Sequence, residues 1–288
     1  MSMITSLGQM KRAIRNLNPA EVRREAEREL RVALVAESPA RHGLMESYLR
    51  PPGLTAAKRA QAARALYRVS HAARGRESFD LELWDESLLH PERAFTFDAA
   101  HPERMVTAVL DARFDLALGL AKRFPPFRMP VIDRTIRSVA KENALFSVAT
   151  ALPDIVPLLS LPWVLGEFAS DTAFLTMNQI RMAFLIAAAS DAGVGYREQR
   201  GQIGSIVAGA FGFRAIAREL VAKIPLGGGL IPKAAIAWSG TWVVGRSMER
   251  LHRLGYAYTR EERKALSARL FGKGKQVVET LLRRPETA

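Results

Sequence analysis

The chain has 288 residues, and 48% of them are hydrophobic, enough for one large or two modest domains with cores of their own. It contains no cysteine, which excludes disulfides, thiolate metal sites and cysteine nucleophiles. Its 42 Lys and Arg outweigh 29 Asp and Glu to give a net charge of +13, a balance that attracts polyanions such as nucleic acid or an anionic membrane leaflet.

In "MSMITSLGQMKRAIRNLN", Ile4, Leu7, Met10, Ile14 and Leu17 share one helical face, which suits a docking helix or a membrane-surface helix. No apolar leader core is expected within residues 1–20. "NPAEVRREAEREL" predicts a helix, with Asn18 as N-cap, Pro19 in the first position and Glu21 near the cap. "RVALVAESPARHGLMESYL" (31–49) then reads as strand, loop and helix, the layout of a phosphate-binding loop. A working loop reads G-x-x-x-x-G-K-[ST]. Here Ala36 and Arg41 stand at the glycine positions, His42 at the lysine and Gly43 at the hydroxyl. Residues 55–73 predict an Ala- and Arg-rich helix, 75–104 short segments, and 105–122 another helix. The proline-broken "RFPPFRMP" and a helix over 131–143 follow, a linker spanning 124–142.

Charge divides the chain. Residues 1–143 hold 24 basic and 18 acidic side chains, residues 144–245 only 7 and 6, and residues 246–288 hold 11 and 5. Within the weakly charged block, 144–166 carries Asp154 as its one charge, and the segment around 172–190 carries Arg181. Each is long enough to cross a hydrocarbon core of about 30 Å. A hairpin over 144–190 with both ends cytoplasmic fits the charges of the flanking turns. Pro153, Pro157 and Pro162 interrupt the first arm, and Asn178, Gln179 and Arg181 in the second need partners. A buried hairpin in a soluble bundle is the competing expectation. Asp154 is the candidate partner of Arg181. "GQIGSIVAGAFG" spaces Gly201, Ser205 and Gly209 four apart, as closely packed helices do.

Catalytic patterns are missing. The five histidines lack zinc spacing, there is no G-x-S-x-G, and Gly227 to Gly229 follow "KIP" rather than a strand. Asp80, Asp85 and Glu86 lie in a mixed-charge stretch with no evident pairing. No nucleic-acid module with interleaved aromatics is present, and no nucleic-acid partner is expected.

Four stretches carry a resemblance: "ALPDIVPL" (151–158), "LTMNQIRMAFLIA" (175–187), "FRAIARELVAKIP" (213–225) and "IPKAAIAWSGTWVVGR" (231–246). On these, residues 143–274 resemble the YcjF-like, GTPase-associated domain of unknown function. That domain occurs in bacterial inner-membrane proteins and at the C-terminus of Era-like GTPases. The matching positions are Asp154, Asn178, Gln179, Arg181, Met182, Arg214, Arg218, Pro225, Lys233, Gly240, Thr241 and Gly245. Residues 124–144 are similar to the linker of the fused GTPases, and 18–35 to the segment leading into their phosphate loop.

The resemblance implies a mainly α-helical chain. A small degenerate α/β module (1–123) would precede a helical, membrane-associated domain (143–274) and a basic tail (275–288). It implies no known reaction, cofactor or metal. The expected role is a non-enzymatic scaffold or regulator at the cytoplasmic membrane, beside a partner GTPase or as a homo-oligomer. A GTP-binding protein with a divergent site, or a soluble polyanion-binding helical protein, is the alternative.

Overall fold

The computed structural model describes residues 17–71, 78–150, 171–209 and 230–283. Asp154, Arg214, Arg218 and Pro225 therefore lie outside the described residues, as do most of the N-terminal amphipathic stretch and most of the first apolar arm. The chain is mainly α-helical with a small α/β module on its N-terminal side. It divides into two compact units: an α/β unit of residues 21–133 with 188–192, and a helical unit of residues 1–20, 134–187 and 193–288.

The α/β unit holds α1 (Pro19–Glu27), β1 (Val32–Val35), α2 (Pro39–Leu49), α3 (Ala56–Ala63), β2 (Leu66–Val69), β3 (Leu81–Asp85), β4 (Phe95–Phe97), α4 (Pro102–Ala112) and α5 (Ala117–Arg123). The four strands are all parallel in the order β2-β1-β3-β4. Val32 is in register with Leu66 on one side and Leu81 on the other. β1 is "VALV", buried at all four positions, because helices cover both faces of a parallel sheet and leave no place for alternation. Its ladder continues past the strand, where the Ala36 N–H donates to Val69 O at 3.2 Å. Trp84, Phe124 and Phe127 are the unit's largest fully buried side chains, joined by Leu34, Met45, Leu49, Leu83, Met105 and Leu110.

Three boundaries differ from the sequence expectation. The helix expected over 55–73 stops at Ala63, and "LYRV" becomes β2, because pairing with β1 satisfies its backbone. The helix expected over 105–122 is split at Phe114–Leu116 by a single 3-10 turn, where Arg113 anchors to Asp80 O at 2.7 Å. The prolines before 131 do not break the linker: α6 (Pro125–Ala149) begins on Pro125 and Pro126, whose missing N–H groups cost nothing in a first turn. Pro130 stands inside that helix and removes one of its hydrogen bonds.

In the helical unit, α6 continues through residues 134–149 and is followed by α7 (Asp171–Ala189), α8 (Leu230–Leu254) and α9 (Arg260–Arg283). Residues 200–209 are also helical. Late residues of α6 meet early residues of α7: Phe146 stacks on Phe174 with ring centroids 3.9 Å apart. Ala140, Ala144 and Val148 of α6 pack on Ala234 and Trp238 of α8 and Val278 of α9. α6 therefore runs antiparallel to both α7 and α8, and Thr150, Asp171 and Leu230 gather at one end of the unit. At its opposite end, a Cβ on Gly245 of α8 would lie 2.6 Å from Ile136 Cγ1. Close approach of the two helices requires glycine there.

Candidate functional site

The polar residues singled out on α7 do come together, in a layer across α6, α7 and α8. Asn143 donates through Nδ2 to Thr241 Oγ1 at 2.8 Å, and Gln179 donates through Nε2 to the same oxygen at 3.3 Å. The Thr241 hydroxyl donates in turn to Ala237 O at 2.8 Å. Asn178 Nδ2 donates to Asn143 Oδ1 at 3.0 Å and to Glu142 Oε2 at 3.3 Å. Ser147 Oγ bonds the Asn143 carbonyl at 2.9 Å. Asn143, Asn178 and Thr241 are fully buried. In an apolar interior such groups are costly unless paired, so the network fixes which turn of each helix faces which.

Arg181 donates to Glu142 Oε2 at 2.7 Å, and Ser138 donates to the other oxygen of that carboxylate at 3.1 Å. The expected Arg181 partner, Asp154, lies outside the described residues, and Glu142 holds the guanidinium. Glu142 sits just before the apolar block begins, so a search confined to charges inside the block passes over it. Two buried atoms in the layer have no partner, Asn178 Oδ1 and Arg181 Nε. The side chains of Arg181 and Glu142 keep 34% and 28% of their exposure, so water weakens the pair. Arg181→Leu and Glu142→Leu are each expected to destabilise the chain by about 1–2 kcal/mol, and the double variant by less than their sum. Additive losses in urea melts would show that the two side chains are not coupled.

Met182 is buried beside the layer. Gly240 and Gly245 lie in the buried stretch of α8, and Lys233 stands partly exposed in its first turn. The layer contains amides, hydroxyls and one ion pair. It contains no nucleophile held against a base, and its evident work is to set helix register.

The phosphate-loop frame has a different structure from a working loop. Three residues, Ala36, Glu37 and Ser38, join β1 to α2. Ser38 caps α2 by accepting from the Arg41 N–H at 3.3 Å, and Pro39 has no N–H to offer. His42 turns inward: its Nδ1 lies 3.0 Å from Ser38 O, and its Nε2 lies 3.0 Å from Leu34 O and 3.3 Å from Val69 O. Its ring thus fills the space at the ends of β1 and β2. Arg41 lies 3.5 Å from both Asp85 and Glu86. Asp85 closes β3 at the point where strand order reverses, the usual ligand crevice of an open parallel sheet. It is buried and accepts from the N–H and O–H of Ser87 at 3.1 and 2.5 Å. No pairing for Asp85 was visible in the local sequence, because its cation comes from α2, 44 residues earlier in the chain. Among the described residues no group of three metal-ligating side chains gathers.

Among the described residues one helix, α7, is long and apolar enough over Thr172–Ala189 to cross a membrane, and 78% of that window is buried within the chain. No protein-family model, curated protein or solved structure matches the chain.

Proposed function

We propose that the chain is a non-catalytic, membrane-associated scaffold or regulatory protein at the cytoplasmic face, with both termini on the cytoplasmic side. One observation carries the reading: a long, nearly uncharged sequence joins α6 to α7 at the end of the helical unit where α6 finishes and α7 and α8 begin. α6 ends there with Phe146 and Val148, α7 begins with Phe174, and α8 begins with Leu230 and Ile231. The sequence between Thr150 and Asp171 opens with 16 residues, "ALPDIVPLLSLPWVLG", bearing one charge. Arg134 and Arg137 of α6 and Arg246, Arg250 and Arg253 of α8 stand towards the other ends of those helices, where Glu262 and Glu249 pair with Arg250 and Arg253. An apolar connecting sequence at one end and arginines towards the other suit attachment to a bilayer with the basic side cytoplasmic. A partner GTPase or a second copy of the chain is what the scaffold would hold.

A soluble helical protein that binds polyanions is the second reading, favoured by the burial of α7 against its own neighbours. Fractionation separates the two. The full chain is expected to sediment with membranes and to stay there through an alkaline carbonate wash. Complete release by carbonate would overturn stable attachment. Release by salt alone would point to exposed charge, which salt screens over about 8–10 Å.

A further inference from the structure

The direction of the hydrogen bonds in the polar layer follows from one backbone carbonyl. Ala237 O can only accept, so the Thr241 hydroxyl donates to it at 2.8 Å and the hydroxyl oxygen is left to accept. Asn143 and Gln179 must therefore present their NH2 groups to Thr241, at 2.8 and 3.3 Å. That turns Asn143 Oδ1 towards Asn178, which must present its own NH2 group, at 3.0 Å. The carboxylate of Glu142 accepts from the same NH2 group at 3.3 Å. An amide reversed at any link would set oxygen against oxygen. Asn178 is thus left with an oxygen, Oδ1, that has no donor among the described residues, in a side chain without solvent exposure.

Arg181 leaves the complementary group. A guanidinium carries only donors. Its Nη2 donates to Glu142 Oε2 at 2.7 Å, while its buried Nε–H has no acceptor among the described residues. Asn178 and Arg181 stand three residues apart on α7, a spacing that makes side chains neighbours on one helix face. Both hold the same oxygen, Glu142 Oε2. Each unpaired atom sits across one carbon from the nitrogen that does so: Oδ1 across Cγ of Asn178, and Nε across Cζ of Arg181. A lone acceptor and a lone donor therefore adjoin, and buried polar groups are costly unless paired.

A ligand that satisfies both must donate, accept and be small. An anion would meet Asn178 Oδ1 and the Glu142 carboxylate, and a cation would meet Arg181. An apolar molecule answers neither group. Water does both, and internal water is bound where about two to four polar groups converge. We infer that the layer binds a single water molecule, which accepts from the Arg181 Nε–H and donates to Asn178 Oδ1. Glu142 Oε2, held by both side chains, is the acceptor for its second proton. The water ties α6 to α7, so the register of these helices depends on a ligand taken from solvent. Its route in is the partly exposed edge formed by Arg181 and Glu142. The inference goes beyond the membrane-associated reading and stands whether or not the chain attaches to a bilayer.

Nuclear magnetic resonance of the full chain with isotopically labelled arginine tests this directly. Arg181→Lys, which keeps a cation for Glu142, identifies the Arg181 Nε–H signal by its loss. In the wild-type chain that proton is expected to receive magnetisation from water with opposite sign in the laboratory and rotating frames, the mark of a water that tumbles with the protein. No transfer, or transfer of equal sign in both frames, which marks passing surface water or an exchanging proton, would overturn the inference. Relaxation dispersion of deuterated water counts long-held molecules in the whole chain. Asn178→Leu combined with Arg181→Met is expected to hold one fewer than wild type, and an equal count with helicity retained would overturn the inference. So would a crystal structure in which the Arg181 Nε–H donates to Asn178 Oδ1 directly. The wild-type signal decides the matter even where the double variant fails to fold.

Discussion

Gly245→Leu will prevent the helical unit from assembling, and Gly245→Ala will lower its stability by about 1–3 kcal/mol. The cause is local. A Cβ at this position lies 2.6 Å from Ile136 Cγ1, 3.0 Å from Cδ1 and 3.1 Å from Cγ2. All three are atoms of a branched, fully buried side chain. Ile136 cannot swing clear, because a β-branched residue in a helix has essentially one rotamer. The helices must move apart instead. Two companions make the result specific. Gly272→Ala, where nothing lies within 4 Å of the new methyl, should be neutral or stabilising, since glycine is a poor helix former. Ile136→Ala combined with Gly245→Ala should recover part of the loss. Chemical denaturation followed by circular dichroism measures all of them, and an unchanged midpoint for Gly245→Ala would remove the proposed close contact.

Asn143→Leu is the second large effect. This one side chain donates to Thr241 and accepts from Asn178, and all three are fully buried. Leucine fills a similar volume but deprives the Asn178 amide of its better acceptor and Thr241 of its shorter donor. The Asn178 amide keeps only Glu142 and the Thr241 oxygen keeps only the Gln179 donor, each at 3.3 Å, and weakening two buried hydrogen bonds in this way is expected to cost about 1–3 kcal/mol in all. Asn143→Leu with Asn178→Leu should therefore cost less than the two singles together, because the pair then departs as a unit. Singles within about 0.5 kcal/mol of wild type would mean that the layer does not hold the helices in register.

Much of this architecture was legible in the residues. "VALV" between a capped helix and a loop announces a buried strand, and the mainly helical chain with a small α/β module is the one the resemblance implies. Asn178, Gln179 and Arg181 announce partners on neighbouring helices, since polar groups in an apolar run must be satisfied. Which partners was not legible. Glu142 and Asn143 precede the apolar block and are brought to α7 by the antiparallel course of α6, a tertiary fact. β2 was hidden for a similar reason: "LYRV" follows an Ala- and Arg-rich helix directly, and only pairing with β1 decides its state. The phosphate-loop frame was legible as altered, but the inward turn of His42 depends on carbonyls from two strands, Leu34 O eight residues before it and Val69 O 27 residues after it.

The buried polar layer also sets a timetable for biosynthesis. Asn143, Asn178 and Gln179 are joined through Thr241, which the ribosome adds 62 residues after Gln179. At a synthesis rate of about 5–20 residues per second, that interval lasts about 3–12 seconds. Throughout it, α6 and α7 lack the hydroxyl that receives two of their amides, and the apolar face that α8 will cover stays open. The four-stranded sheet, whose strands end at Phe97, has all its pairing partners long before then. Of the two units, the nascent helical one is therefore the later to close, its apolar face open until α8 is made.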